Sequence, residues 1–406
     1  MFLKIAWLNI WRNKRRTLIT ATSVFFAVLL AILTRSVTIG VYENMIRNMV
    51  SYSSGYLQVH QKGYWEEQSI DNTFELDPEL NQNLLQQPGV IQIMPRLESF
   101  ALASFKDRTK GVMILGVDPQ KEKTVNNLHE KIIEGRFLEN EKENAVVIGE
   151  GMASYLHLNI GDSLVVLGQG YHASSAAGKY SIKGVISLGS PDLNDNIVYM
   201  PIKQTQAMYG AENRLTAISI MLKKSADLRD LKSKLEPRLD PAKYEIMTWK
   251  EMMPEIDQFI EADSTGHLII IGILYLIISF GLFGTLLMMT FERLREFGIL
   301  IAIGMKKQLL GFILLLESVM ISLIGCFLGV IGASLVIRWF TKYPIYFTGE
   351  LKEVYQNYGI EPIIFFSEDH QILITQTAIV MFLSVILALY PGIKIMRLKP
   401  IEAINS

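Results

Sequence analysis

Four long apolar runs constrain this chain more than any other feature: residues 17–40, 268–290, 309–340 and 371–393. Each is long enough to cross a bilayer, which takes about 20 helical residues. Residues 41–267 separate the first two runs, whereas short connections join the others. Of 406 residues, 50% are hydrophobic and 19% are charged. That is apolar for a soluble protein and too polar for a chain lying wholly in a membrane. The expected fold class is an α-helical membrane protein with four transmembrane helices plus a large α+β domain outside the membrane. The first run exceeds a signal-peptide core and no Ala-x-Ala-like site follows it, so it reads as an uncleaved span.

Basic residues set the expected direction. Residues 1–16 carry Lys4, Arg12, Lys14, Arg15 and Arg16; residues 291–308 carry Arg293, Arg295, Lys306 and Lys307; and the tail, 394–406, carries Lys394, Arg397 and Lys399. The connection 341–370 has only Lys342 and Lys352, against Glu350, Glu353, Glu361, Glu368 and Asp369. Both termini and 291–308 are therefore expected in the cytoplasm, and 41–267 and 341–370 outside. Within 1–16, Phe2, Ile5 and Leu8 recur at helical spacing beside Trp7 and Trp11. This predicts an amphipathic helix on the inner leaflet. The net charge of −1 says nothing about nucleic acid, and no nucleic-acid partner is expected.

The edges of 41–267 read as helices continuing the spans. Val41, Met45, Met49 and Tyr52 follow helical spacing after the first run. Thr248 and Glu251 form a capping-box pattern before Met252, Ile256, Phe259 and Ile260, with Pro254 in the first turn. Met45, Met49, Met252 and Met253 could meet an acyl chain, since methionine adapts to irregular apolar partners, or could pack stalk against stalk. Inside the domain, strands are expected at 55–60, 90–105, 215–222 and 244–247, and helices at 77–87 and 225–236. These give two β-α-β units around a β-rich middle, about 106–214, in which 187–195 is a turn-rich loop.

Catalytic and metal chemistry is not indicated. His60, His129, His157, His172, His267 and His370 are scattered, with no pair at metal-ligand spacing. The stretch 170–180, "GYHASSAAGKY", fails as a phosphate loop because Ala173 stands where the first glycine is needed and Tyr180 replaces Ser or Thr. It reads as a hairpin. No cofactor is expected in this chain. Cys326 lies in an apolar run and reads as a small packing residue. Arg35 falls near one end of the first span and can snorkel.

Glu317 is an acid well inside the third span. A charge there costs about 2.5–3.5 kcal/mol on insertion scales, so it needs a partner or a task. An ion relay and a structural contact compete, and the lone acid favours the contact. Gly325, Gly329 and Ala333, four apart, permit close helix packing. The segment 291–308 has a charged head (Glu292, Arg293, Arg295, Glu296), an apolar middle with Gly298 and Gly304, and a basic end. It reads either as a helix seated in a partner's groove or as the interfacial start of the third span.

"ERLREFGILIAIG" (292–304) resembles the Glu-Arg-x-x-Glu-x-Gly-x-x-x-Ala-x-Gly signature of FtsX-like ABC transporter permeases. "RNKRRTLIT" (12–20) and "YPGIKIMRLKPIEAI" (390–404) are similar to the start and close of that family, and the stretch around "IIEGRFL" and "VVIGEGMASYLHLNIGDSL" looks like the periplasmic domain of MacB and of the LolC/LolE lipoprotein-releasing permeases. Phe297 departs conservatively from the usual β-branched residue. The resemblance implies a non-catalytic permease subunit that works with a second permease copy or homologue and with a separate cytoplasmic ATPase, where ATP and Mg would bind. In that reading Glu292, Arg293, Arg295, Glu296, Gly298 and Gly304 belong to a coupling helix on the ATPase, and motion is relayed to the outer domain by mechanotransmission. Lipoprotein release toward a periplasmic carrier is the expected task. A MacB-like efflux component and an FtsX-like regulator of a cell-wall hydrolase are the alternatives.

Overall fold

A membrane-length apolar helix must satisfy its backbone internally and needs apolar contact on every side, so its packing is set by small residues and buried polar pairs. The computed structural model describes residues 2–12, 14–188, 190–223, 228–352 and 362–397. The expectations for Lys399, Glu353 and Glu361, for residues 398–404 of the closing motif, and for the side chains of Phe2, Lys4, Ile5 and Arg16 lie outside the described residues. The chain divides into two compact units, one of Met1–Glu43, Ile260–Tyr346 and Ile363–Ser406, the other of Asn44–Phe259 and Phe347–Pro362.

In the first unit the helices are α1 (Phe2–Arg12), α2 (Lys14–Met49), α3 (Pro254–Phe291), α4 (Leu294–Ala302), α5 (Lys307–Lys342) and α6 (His370–Met396), with α2 and α3 extending into the second unit. Thr17–Met49, α3, α5 and α6 are long and apolar enough to cross a membrane. Their shared core joins Val24, Val28 and Ile32 of α2, Leu282 of α3, Cys326, Ala333 and Ile337 of α5, and Val380 of α6. The close approach of α2 and α5 depends on glycine. A Cβ at Gly325 would lie 2.6 Å from Val24 Cβ and 2.7 Å from the Ala21 carbonyl, and one at Gly329 would lie 2.8 Å from Val28 Cβ. Outward faces stay apolar, with Phe280 70% and Ile269 65% exposed, which suits hydrocarbon rather than water.

Among the described residues the second unit has twelve strands: β1 (Leu57–Gln61), β2 (Phe74–Glu75), β3 (Val90–Phe105), β4 (Arg108–Val117), β5 (Ile132–Gly135), β6 (Ala145–Gly149), β7 (Ser163–Gln169), β8 (Ser175–Ile186), β9 (Ile197–Pro201), β10 (Arg214–Leu215), β11 (Ala217–Leu222) and β12 (Tyr244–Thr248). Four of them form a sheet in the order β12-β1-β11-β3, with antiparallel neighbours. The helix Pro78–Leu85 connects β1 to β3, and Leu228–Leu235 connects β11 to β12. Each β-α-β unit is thus split by a strand of the other, the ferredoxin-like arrangement.

β3 then continues into the β-rich part. It pairs with β4 and β7, β4 with β9, β9 with β6, β6 with β8, and β8 with β7. These pairings return to β3 and close a six-stranded barrel. Strand alternation fills it: Val112 and Ile114, Val146 and Ile148, Leu164 and Val166, and Val198 and Met200 lie in one core. Leu115, Val117, Val147, Ile197 and Tyr199 face a second core on the other side. The sequence led us to expect an α+β subdomain with a β-rich subdomain inserted in it, and the strand order follows that plan, with one 16-residue strand running through both.

Two differences have local causes. The loop 187–195 contains a short helix, Pro191–Asn196, opened by its proline. Thr248 and Glu251 do form a capping box, but the helix they open ends at Met252. Pro254 disfavours helical geometry at the residue before it, and Met253 sits at φ −128° and ψ 63° before α3 begins. The hairpin at 170–180 joins β7 to β8. At the other edge of the domain, α2 passes into a π-helical turn, Val50–Ser54, closed by the Gly55 N–H on the Val50 carbonyl at 2.7 Å. Tyr199 in the second core donates to the Tyr52 carbonyl at 3.0 Å and anchors that turn.

The α2–α5 contact predicts that Gly325→Leu lowers the stability of the detergent-solubilised chain by about 1–3 kcal/mol, read as a fall in thermal midpoint. Gly272→Ala, where nothing lies within 4 Å, should leave the midpoint unchanged or raise it. A second prediction concerns His60, which is fully buried, bonds Gln58 Oε1 through Nε2 at 2.5 Å, stacks on Trp65 and has the Glu245 carboxylate 4.0 Å from Nδ1. Burial lowers its pKa from 6.5 to about 4. Between those values the unfolded chain takes up a proton that the folded domain does not. Stability should therefore fall as pH falls through this window, by about 3 kcal/mol in all. Thermal unfolding across the window should show a slope that His60→Gln loses.

Candidate functional site

The segment joining α3 to α5 is built around a buried charge pair. Glu317, 3% exposed on α5, receives two hydrogen bonds from Arg293 Nη1, at 2.8 and 2.7 Å. Arg293 is itself only 4% exposed and lies in the turn between α3 and α4, with its guanidinium 5.1 Å from the Phe297 ring centre. Its Nε also faces Glu296 Oε2 at 3.4 Å, and Arg12 reaches the same oxygen at 3.0 Å. One carboxylate thus ties the α1 end to the head of α4, while the other fixes that head to α5.

This geometry sorts the charged head. Glu292, Arg295 and Glu296 are exposed. Arg293, which the sequence placed on the outer surface with them, is turned inward. The physical reason is Glu317: an acid in an apolar helix needs a charge-assisted partner, and Arg293 is within reach. Sequence reasoning left Glu317 without a named partner. The signal it could have used was the arginine immediately beyond the end of α3.

Gly298 and Gly304 also separate. Gly298 is buried in the middle of α4, not at an end of it. Gly304, at φ +107°, ends the helix. The N–H of Gly304 meets the Ile301 carbonyl and that of Met305 the Leu300 carbonyl, each at 3.0 Å, which is a Schellman closure. Phe297 is buried in the helix core with Leu310 and Leu314. Ile299, Leu300 and Ile303 remain 45%, 37% and 79% exposed. A short helix is therefore held from behind by an ion pair and a ring, and presents an aliphatic strip edged by Arg295 and Glu296.

The domain holds a second candidate, a cavity of about 310 Å³ lined by Met49, Met252, Met253, Trp65, Phe100 and Glu98, among others. Met45 is buried elsewhere, so three of the four methionines are brought together. Burial raises the pKa of Glu98, opposed by Arg96 and by the hydrogen bond from Gln58. Sequence reasoning did not find Glu98 or the fully buried Arg96–Glu122 pair at 3.0 Å. Gly325 and Gly329 lie in the α2–α5 contact. Among the described residues no group of three or more His, Cys, Asp or Glu is placed to hold a metal.

The buried pair carries its own prediction. Arg293→Met or Glu317→Met alone should cost about 3–5 kcal/mol, because each strands a buried charge, and the double variant should recover most of that loss. Thermal unfolding of the four proteins of this cycle checks it.

Residues 17–238 match the MacB-like periplasmic core domain, and residues 268–400 match the FtsX-like permease C-terminal domain. The lipoprotein-releasing system transmembrane protein LolC of Xylella fastidiosa is 22% identical over 331 residues, 78% of either chain. LolE of Haemophilus influenzae is 21% identical over 340 residues, 80% of either chain. The periplasmic region of MacB from Actinobacillus actinomycetemcomitans aligns with a TM-score of 0.34 at 15% identity, over 50% of this chain and 92% of that one. With matched domains spanning both the inserted domain and the helices around the Arg293–Glu317 pair, the chain belongs to the FtsX-like, MacB-type family of ABC transporter permeases.

Proposed function

We propose that this chain is the permease subunit that passes work from a separate ATPase to its inserted domain, and that the work releases lipoproteins from a bacterial inner membrane. The observation that carries the reading is the exposed strip of Ile299, Leu300 and Ile303 on α4. A contiguous aliphatic strip with a charged margin is the surface a partner groove would cover. Glu292, Arg295 and Glu296 would set its register by charge. In this reading α4 and both termini face the cytoplasm, ATP and Mg are held by the partner alone, and a second permease copy or homologue completes the assembly. A pushed α4 moves α5 through Arg293–Glu317, and α2 and α3 carry the displacement by mechanotransmission. The cavity walled by Met49, Met252 and Met253 then offers an acyl chain an adaptable apolar surface, before a periplasmic carrier receives the cargo.

The distant LolC and LolE relatives support lipoprotein as the cargo. The test has two arms. Ile303→Asp should weaken co-purification of the ATPase by about tenfold or more and lower its activity in the complex, with the permease still inserted. Depleting the chain should hold newly made lipoproteins in the inner membrane. Unchanged co-purification overturns the role of α4, and normal lipoprotein arrival at the outer membrane overturns the cargo.

A further inference from the structure

A cleft of about 550 Å³ opens in the helical unit where α1 meets α2 and α3 ends. Arg12, Lys14 and Arg15 line it with one carboxylate, Glu292. Beneath them its wall is apolar, formed by Ile19 of α2 and by Met288 and Met289 of α3. The Thr20 and Thr285 side chains also line it. The site is therefore amphipathic: three bases at one level, hydrocarbon at the next.

Its place in the helices says what fits. Residues 14–20 open one membrane-length helix and residues 285–292 close another. That is the level at which lipid headgroups give way to acyl chains. A second observation marks the same level. Trp7 and Trp11 of α1 are 44% and 55% exposed and meet edge to face at 6.0 Å, with Leu8 59% exposed beside them. Exposed tryptophans on a short helix ending in bases are the residues of a membrane interface. A basic recess between membrane helices at that depth recruits an anionic headgroup.

We propose that this cleft binds one anionic glycerophospholipid, its phosphate diester on Arg12, Lys14 and Arg15 and its acyl chains along Ile19 and Met288. A zwitterionic lipid would set a choline against three bases. A free phosphate would satisfy the bases and leave the apolar wall empty. The site adjoins the charged margin of α4 through Glu292 and the Arg12–Glu296 bond, lies apart from Ile299, Leu300 and Ile303, and does not depend on the identity of any cargo.

The test is native mass spectrometry of the full chain in detergent, titrated with phosphatidylglycerol or phosphatidylcholine. Phosphatidylglycerol should be retained about tenfold better. Combining Arg12→Gln, Lys14→Gln and Arg15→Gln should remove the preference, whereas Arg338→Gln with Lys342→Gln, at the other end of α5, should not. Excess inorganic phosphate should leave the lipid adduct in place. If the triple variant fails to insert, Met288→Trp, which fills the apolar wall and keeps the bases, should lower retention instead. Equal retention of the two lipids, a preference that survives in the triple variant, an adduct unaffected by Met288→Trp, or displacement by inorganic phosphate would each overturn the proposal.

Discussion

The Arg293–Glu317 pair is the constraint on which the helical unit depends. Taking two charges out of water costs several kcal/mol per ion, and the cost is offset only when geometry is good and no donor is left stranded. Here one guanidinium nitrogen meets both carboxylate oxygens, a second nitrogen meets Glu296, and the ring of Phe297 covers the cation. Such a pair selects position more than it adds stability. It fixes where α4 starts, and the Schellman turn at Gly304 fixes where it ends. Between them nine residues have one face committed to the bundle, so Ile299, Leu300 and Ile303 have nowhere to turn but outward.

The inserted domain solves a different problem, that of tying chain ends into a sheet. On the incoming side the π turn and the Tyr199 hydroxyl hold Tyr52, and the Tyr56 N–H meets the Ile220 carbonyl at 3.1 Å. On the outgoing side the Trp249 N–H meets the Tyr56 carbonyl at 3.1 Å. Both ends are thereby pinned to one residue, Tyr56, next to β1. π turns recur at functional positions because the extra residue changes the angular register of whatever follows.

Much of this was legible in the sequence where one physical rule dominated. Apolar runs of bilayer length read directly as the four membrane-length helices, and the strand from 90 to 105 was read with its observed ends although Pro95 lies inside it. The capping box at Thr248 was legible because it is a local hydrogen-bond pattern. What stayed hidden was non-local. Arg293 is twenty-four residues from Glu317, and its charge pattern alone is the same whether it faces solvent or a buried acid. The closing of β7 onto both β3 and β8 depends on pairing partners far apart in sequence, which alternation cannot name. The break at Met253 was readable from Pro254, but the helical stripe on either side of it outweighed that signal.

Closing six strands into a ring has a consequence for how the domain meets other chains. A ring has no end strand, so among the described strands of this sheet β5 and β12 are the two bonded to a single neighbour. β5 is four residues long, has an irregular register against β8 and ends in Gly135 at φ +73°. Short, bent edges of this kind resist strand addition. Of these two end strands β12 is the longer and more regular template for an extended peptide, and it leads directly into the helices that return to the membrane-type bundle.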